Sequence, residues 1–124
     1  MAHKTLSVLV VEDSKTLREG YDSILRAEDH TPTLCSNAEE ALEHIDRGEK
    51  FDFIYSDYQL PGMTGLEFLK CVRARDTTHH TPFALCTATA QPYLRMRCQD
   101  LGAVFFEKPV NILSVIEETL KKKE

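Results

Sequence analysis

Three observations predict a three-layer α/β fold, in which a parallel five-stranded sheet lies between two layers of helices. Five short apolar runs alternate with five helical patterns, the chain has no internal repeats, and no linker interrupts its 124 residues. Strands that alternate with helices form a parallel sheet covered on both faces, and right-handed crossovers favour the doubly wound arrangement. A closed eight-fold barrel would need about twice this length. We therefore expect one domain, spanning residues 1–124.

The first part of the chain predicts two strand–helix units. Leu6–Val11 is an apolar run typical of a buried strand, and a shorter strand is expected at Thr33–Cys35. Asn37 is a candidate N-cap with Glu40 three residues later, and Gly48 suits the position just past that helix. Both helices carry an apolar stripe at helical spacing: Leu17, Tyr21, Ile24 and Leu25 in the first, and Ala38, Ala41, Leu42 and Ile45 in the second.

The second part of the chain predicts three further units. Their strands are expected in three apolar runs: Phe51–Ser56, Phe83–Cys86 and Val104–Phe106. Thr64 and Glu67 form a capping-box pattern that opens the third helix. Pro92 fits the first turn of the fourth helix, and Gly102 suits its end. The fifth helix carries an apolar stripe: Ile112, Val115, Ile116 and Leu120.

Composition excludes several classes of protein. The net charge of −5 argues against a general nucleic-acid binder. No apolar run approaches the ~20 residues of a membrane-spanning helix, and the N-terminal MAHKTL lacks the apolar stretch of a signal peptide. We therefore expect a cytoplasmic protein that does not insert into membranes. The cysteines show no CxxC spacing, which favours reduced core residues over a disulfide framework or metal ligands: Cys35, Cys71, Cys86 and Cys98.

Polar side chains follow four of the five predicted strands. Glu12 and Asp13 come after the first strand, Asp57 after the third, Thr87 after the fourth and Lys108 after the fifth. In a doubly wound sheet, ligands bind beyond the carboxyl ends of the strands. Each residue alone could have an ordinary role, such as capping a helix or lying solvated at the surface. Together they predict a functional site at one edge of the sheet.

The carboxylates of Glu12, Asp13 and Asp57 at one edge of the sheet would repel one another unless positive charge lies nearby. Two unit charges about 4 Å apart repel by ~4 kcal/mol at an effective dielectric constant of about 20. Lys108 supplies one positive charge, and a hard divalent cation such as Mg²⁺ suits a set of oxygen ligands. A carboxylate beside Mg²⁺, a lysine and a threonine hydroxyl can accept a phosphoryl group, because the metal and the lysine neutralise charge on the transferred oxygens and the hydroxyl donates a hydrogen bond to one of them.

Four motifs occur in order along the chain, each at the end of a predicted strand: VLVVEDS (Val8–Ser14), SDYQLPGMTG (Ser56–Gly65), CTATA (Cys86–Ala90) and EKPV (Glu107–Val110). With these motifs, the sequence resembles the receiver domain of two-component response regulators over essentially its whole length. The resemblance implies a flavodoxin-like sheet with strand order 2-1-3-4-5. It also implies that Asp57 accepts a phosphoryl group from a phosphohistidine on a sensor histidine kinase or a phosphotransfer protein. Asp13, Asp57 and the main-chain carbonyl of Gln59 would bind Mg²⁺, with Glu12 acting mainly through water.

The resemblance also implies a conformational switch. Thr87 and Lys108 would contact the phosphoryl oxygens, and Phe105, three residues before the lysine, would turn inward as Thr87 moves. The surface formed by the fourth helix, the fifth strand and the fifth helix would change and bind a downstream protein. The family commonly has a cis peptide bond before the residue that matches Pro109. The chain departs from the family in one respect, because four residues, VFFE, separate Ala103 from Lys108 where the common pattern has five.

Three other functions are considered. A receiver-like interaction module that is never phosphorylated would normally lack the acceptor, an acid or the lysine. A phosphohydrolase similar to haloacid dehalogenases would carry a second Asp where this chain has Gln59, and an inserted cap region. A flavodoxin-like cofactor binder needs a phosphate-binding loop after the first strand, where Glu12 and Asp13 would repel phosphate. We expect a signalling protein that is not an enzyme for outside substrates, and its N-terminal Met mildly favours a stand-alone receiver over an excised domain.

Overall fold

Five strands and five helices alternate in the computed structural model, which describes residues 4–89 and 91–122. Ala90, the last residue of the CTATA motif, lies outside the described residues. The elements are β1 (Ser7–Val11), α1 (Lys15–Ala27), β2 (Thr31–Cys35), α2 (Ala38–Asp46), β3 (Phe53–Asp57), α3 (Gly65–Arg73), β4 (Phe83–Thr87), α4 (Pro92–Asp100), β5 (Val104–Glu107) and α5 (Ile112–Lys122). Within these described ranges, the helices are too short or too polar to cross a membrane.

The strands form one parallel sheet in the order β2-β1-β3-β4-β5, which confirms the predicted fold class. Every residue of β3 and β4 is buried, as expected for central strands covered on both faces. One apolar core includes buried residues of α2, α3 and α4, and the other includes buried residues of α1 and α5. The sheet therefore lies between two helical layers.

Two strands begin two residues away from their predicted starts. β2 begins at Thr31 because Thr31 pairs with Ser7 of β1, and Pro32 is tolerated because an edge strand needs hydrogen-bond donors on one side only. β3 begins at Phe53, after Asp52, whose carboxylate accepts a 2.8 Å hydrogen bond from the Ser7 amide. The remaining strand boundaries agree with the expected ones to within one residue.

Helix boundaries follow the predicted capping residues. Asn37 accepts a 2.7 Å hydrogen bond from the Glu40 amide, and Thr64 and Glu67 form a complete capping box. Pro92 occupies the first turn of α4. Gly48 and Gly102 follow α2 and α4 with φ of +92° and +66°, a conformation that glycine adopts without steric cost.

The amino edge of the sheet contains a cavity between the first strand and the last helix. Lys4 and Leu6, just before β1, line this space of about 330 Å³ together with Ile116 and Leu120 of α5. The two ends of the described chain therefore meet at the edge opposite the carboxyl ends of the strands.

Candidate functional site

The carboxyl ends of four strands bring the predicted site residues to one edge of the sheet. Asp57 is the last residue of β3 and pairs in register with Cys86, so it lies next to the end of β4, where Thr87 stands. Thr87 pairs in turn with Glu107, which precedes Lys108. Glu12 follows β1, the other neighbour of β3.

Lys108 bridges two of the acids. Its Nζ donates to Glu12 Oε1 at 2.8 Å and lies 3.0 Å from Asp57 Oδ1. The side chains of Lys108, Glu12 and Asp57 are 18%, 1% and 9% exposed, so the pairs are largely shielded from water. Burial alone would lower the pKa of Lys108, but hydrogen bonds to Glu12 and Asp57 raise it above its ordinary value. Lys108 is therefore positively charged at neutral pH.

One ammonium group does not neutralise the site. Burial, and then the charge of Glu12, raise the pKa of Asp57 from 3.8 to about 6, although Lys108 acts in the opposite direction. Oxygens of Glu12, Asp13 and Asp57 lie within 4.8 Å of one another. An all-oxygen donor set with excess negative charge fits a hard divalent cation. These residues therefore fit the predicted Mg²⁺.

The three acids differ in how freely they could bind a metal. Glu12 is buried, and both of its carboxylate oxygens have partners, because Oε1 accepts from Lys108 and Oε2 accepts from the Ser14 amide at 3.1 Å. Asp13 is exposed. This arrangement favours Asp13 and Asp57 as direct ligands and agrees with a less direct contribution from Glu12.

Arg18 on α1 holds the main chain beneath the acids, a role that the sequence analysis missed. Its Nη1 donates to the carbonyl oxygens of Glu12 and Asp13, at 2.9 and 3.0 Å. Ser14 is the N-cap of the same helix and accepts from the Leu17 amide. An arginine one turn into a helix is common, and nothing in its residue type indicates that it binds carbonyls of the preceding loop.

The loop after β3 is fixed on both sides of Gln59. The Tyr58 amide donates to the Cys86 carbonyl, and the Tyr58 carbonyl accepts from the Gly65 amide, both at 2.8 Å. A side chain at Gly65 would overlap the Asp57 carbonyl oxygen and the side chain of Leu85. The loop therefore returns tightly to β3. That the Gln59 carbonyl faces the metal stays a prediction.

The two predicted switch residues are both buried. Thr87 is 1% exposed, and its Oγ1 accepts a 3.3 Å hydrogen bond from the Thr89 amide. Phe105 is 6% exposed, and the Arg95 guanidinium lies 5.0 Å from the centre of its ring. The ring is already buried, and its role as a phosphorylation-dependent switch stays a prediction. The peptide bond between Lys108 and Pro109 is cis, as the resemblance implied.

Comparisons with known proteins identify the family of the chain. A family model described as the response regulator receiver domain matches residues 8–119. The chain is 34% identical to chemotaxis protein CheY of Pseudomonas aeruginosa over 87 residues, which are 69% of each protein. It is also 34% identical to transcriptional regulatory protein DltR of Streptococcus agalactiae, covering 79% of this chain but 42% of that protein.

Solved structures share the fold. The structure of chemotaxis response regulator CheY4 of Vibrio cholerae matches with a TM-score of 0.82 at 29% identity, covering 98% of this chain and 100% of that one. The match to the family model spans most of the sequence and includes all the predicted site residues. The chain belongs to the response regulator receiver domain family.

Proposed function

We propose that this receiver domain accepts a phosphoryl group on Asp57, from a phosphohistidine of a sensor histidine kinase or a phosphotransfer protein. The contact that carries the proposal is the bridge from Lys108 Nζ to Glu12 and Asp57, at 2.8 and 3.0 Å. Such a bridge holds a cation beside a partly shielded carboxylate, where incoming phosphoryl oxygens would need it.

The proposed transfer requires little covalent chemistry from the protein. A carboxylate oxygen of Asp57 forms a bond to phosphorus while the phosphorus–nitrogen bond of phosphohistidine breaks, and the imidazole nitrogen keeps the electron pair. Lys108 and the Thr87 hydroxyl would contact the phosphoryl oxygens. Asp13, Asp57 and the Gln59 carbonyl would hold Mg²⁺, with Glu12 acting through water. The metal supplies positive charge that stabilises the phosphoryl oxygens.

The proposed output is a change in the surface formed by α4, β5 and α5, which would bind a downstream protein in the cytoplasm. Tyr93 and Met96 of α4 are 61% and 64% exposed, and Phe105 of β5 lines a surface cavity together with Met96. Exposed aromatic and methionine side chains are enriched at protein interfaces. In this proposal the protein catalyses only its own phosphorylation and dephosphorylation.

Intact mass spectrometry tests the proposal. The protein is incubated with acetyl phosphate and Mg²⁺, alongside Asp57→Asn and a receiver of proven phosphorylation. We expect one added phosphoryl group on the wild-type chain and none on Asp57→Asn. An unmodified wild-type chain beside a modified control would contradict the proposal and favour a receiver-like module that is never phosphorylated. Pull-down with and without phosphorylation would then identify the downstream protein.

A further inference from the structure

A thiol, a carboxylate and an imidazole meet beside α2, outside the phosphoacceptor site. Cys35 is the last residue of β2, and Glu40 and His44 are one turn apart on α2. One donor atom from each of the three lies within 4.8 Å of the others. Cys35 is 1% exposed, whereas the side chain of His44 is 21% exposed, so the group is reached from the surface past His44.

We propose that Cys35, Glu40 and His44 form a binding site for Zn²⁺. Thiolate, imidazole and carboxylate are the three donor types that zinc takes in proteins, and a water molecule would complete a tetrahedral site. Two ligands at i and i+4 on one helix face are a recurrent zinc-binding arrangement. The absence of CxxC spacing predicts Cys35 to be a reduced core residue, and its approach to His44, nine positions later in the sequence, is created by the fold.

Glu49 orients His44 for this role. His44 Nδ1 lies 2.9 and 3.0 Å from the two carboxylate oxygens of Glu49. When Nδ1 donates to Glu49, the lone pair is on Nε2, the nitrogen left to bind a metal; carboxylates commonly orient zinc-binding histidines in this way. Arg47 Nη2 is 2.8 Å from the same Nδ1, which would favour the opposite tautomer. Arg47 also donates to Glu49 Oε2 at 3.0 Å, so it keeps a partner when Nδ1 is protonated.

Zinc binding must accommodate the hydrogen bond that Glu40 already accepts and must remove the proton of the Cys35 thiol. Glu40 Oε1 accepts a 3.1 Å hydrogen bond from the Ser36 amide, which leaves Oε2 as the oxygen for the metal. Burial, and then the charges of Glu40 and Glu49, raise the pKa of the Cys35 thiol to about 12, so the free thiol keeps its proton at neutral pH. As the sulfur–zinc bond forms, that proton is released to solvent. Zinc affinity should therefore increase with pH.

Cobalt provides a spectroscopic test on the whole chain. The reduced, metal-free protein is titrated with Co²⁺ in the presence of excess Mg²⁺, which occupies the all-oxygen site, and then with Zn²⁺. We expect a thiolate-to-cobalt charge-transfer band that Zn²⁺ abolishes. Cys35→Ser should lose the band, and His44→Gln should lose most of the affinity. Glu49→Gln, which removes the orienting carboxylate, should weaken Zn²⁺ binding by about 10-fold, as measured against a chromophoric chelator.

Matched controls decide the result. Cys71→Ser changes a half-buried cysteine and His80→Gln an exposed histidine, both outside the cluster, and both variants should bind like the wild type. The proposal is overturned if the wild type shows no thiolate band, or if the band persists in Cys35→Ser. If circular dichroism shows that Cys35→Ser is unfolded, His44→Gln decides instead, and wild-type affinity in that variant overturns the proposal.

Discussion

Gly65 occupies a position where the fold leaves no room for a side chain. A β-carbon there would overlap the Asp57 carbonyl oxygen and would lie 2.7 Å from Leu85 Cδ1 and 2.8 Å from Tyr58 Cα. Two of these three obstacles are backbone atoms, which move only if the loop moves. Gly65 therefore allows α3 to begin directly against the strand that ends in Asp57.

Replacement of Gly65 by alanine should destabilise the protein. We expect a loss of about 1–3 kcal/mol in the free energy of unfolding, measured by urea denaturation, because the new methyl group forces a backbone shift. Gly20→Ala is the matched control, since Gly20 lies within α1 and, apart from the backbone of that helix and its chain neighbours, no heavy atom of the described residues lies within 4 Å of the added carbon. That change should stabilise by about 0.5–1 kcal/mol. Equal stability of Gly65→Ala and the wild type would mean that the loop yields easily.

Removal of the Lys108 ammonium should separate metal binding from signalling. Lys108 is not a metal ligand, so we expect Lys108→Ala to bind Mg²⁺ in calorimetric titrations. It should lose the phosphorylation-dependent changes in amide chemical shifts of α4, β5 and α5, because the proposed contact between the lysine ammonium and the phosphoryl oxygens is missing. Lys70→Ala, an exposed lysine of α3, should respond like the wild type. A normal response in Lys108→Ala would remove the role assigned to it.

Some site residues could be predicted from the sequence and others could not. Glu12, Asp57 and Lys108 each follow an apolar run, and parallel strands necessarily gather such residues at one edge. Arg18 has no comparable signature because it binds main-chain carbonyls, which every residue possesses. The same holds for Arg73, whose guanidinium donates to four carbonyl oxygens: those of Thr78, Thr81, Leu101 and Gly102.

At the level of single elements, helix starts are the features that the sequence specifies best. The Thr64 hydroxyl accepts from the Glu67 amide at 3.1 Å, and the Glu67 carboxylate accepts from the Thr64 amide at 2.8 Å. Both partners lie within four residues, so no distant contact is needed to predict the pair. The starts of β2 and β3 were harder to predict because they depend on pairing with Ser7, which is distant in the sequence.

Loss of the Thr64 cap should weaken α3. We expect Thr64→Ala to lower the free energy of unfolding by about 1 kcal/mol, because it leaves an amide of the first turn without its partner. Urea denaturation measures the change, with Thr77→Ala, an exposed loop threonine, as the control. Asn37→Ala at α2 should cost a similar amount. A Thr64→Ala variant as stable as the control would show that water replaces the cap at no cost.

For the whole molecule, the raised pKa of Asp57 ties stability to pH. The folded protein holds this proton up to about pH 6, whereas an ordinary aspartate releases it at 3.8. Between these values the folded state binds more protons than the unfolded state, so the free energy of unfolding falls as pH rises. In the absence of metal, the shift corresponds to a loss of about 3 kcal/mol in the free energy of unfolding as the pH rises from below 3.8 to above 6.

Denaturation at pH 5 and pH 7 in the presence of EDTA measures this effect. We expect the wild type to lose more stability than Asp57→Asn over that interval, since the amide does not ionise. Added Mg²⁺ should stabilise the wild type at pH 7, by about 2.7 kcal/mol at 100 times its dissociation constant. The gain should be smaller at pH 5, where the protonated carboxyl binds metal poorly. If the free energy of unfolding changed equally between pH 5 and pH 7 in the wild type and in Asp57→Asn, the raised pKa of Asp57 would be contradicted.

The cavity at the amino edge has a practical consequence for work with this protein. Lys4 and Leu6 line it together with Leu120, so both ends of the described chain emerge on the side away from Asp57. A fluorescent tag, a surface tether or a fused domain joined at either end would project from that side. Such attachments would leave the Asp57 face, where we propose that a phosphodonor binds, open, so an immobilised protein should be accessible to the same partners as the free one.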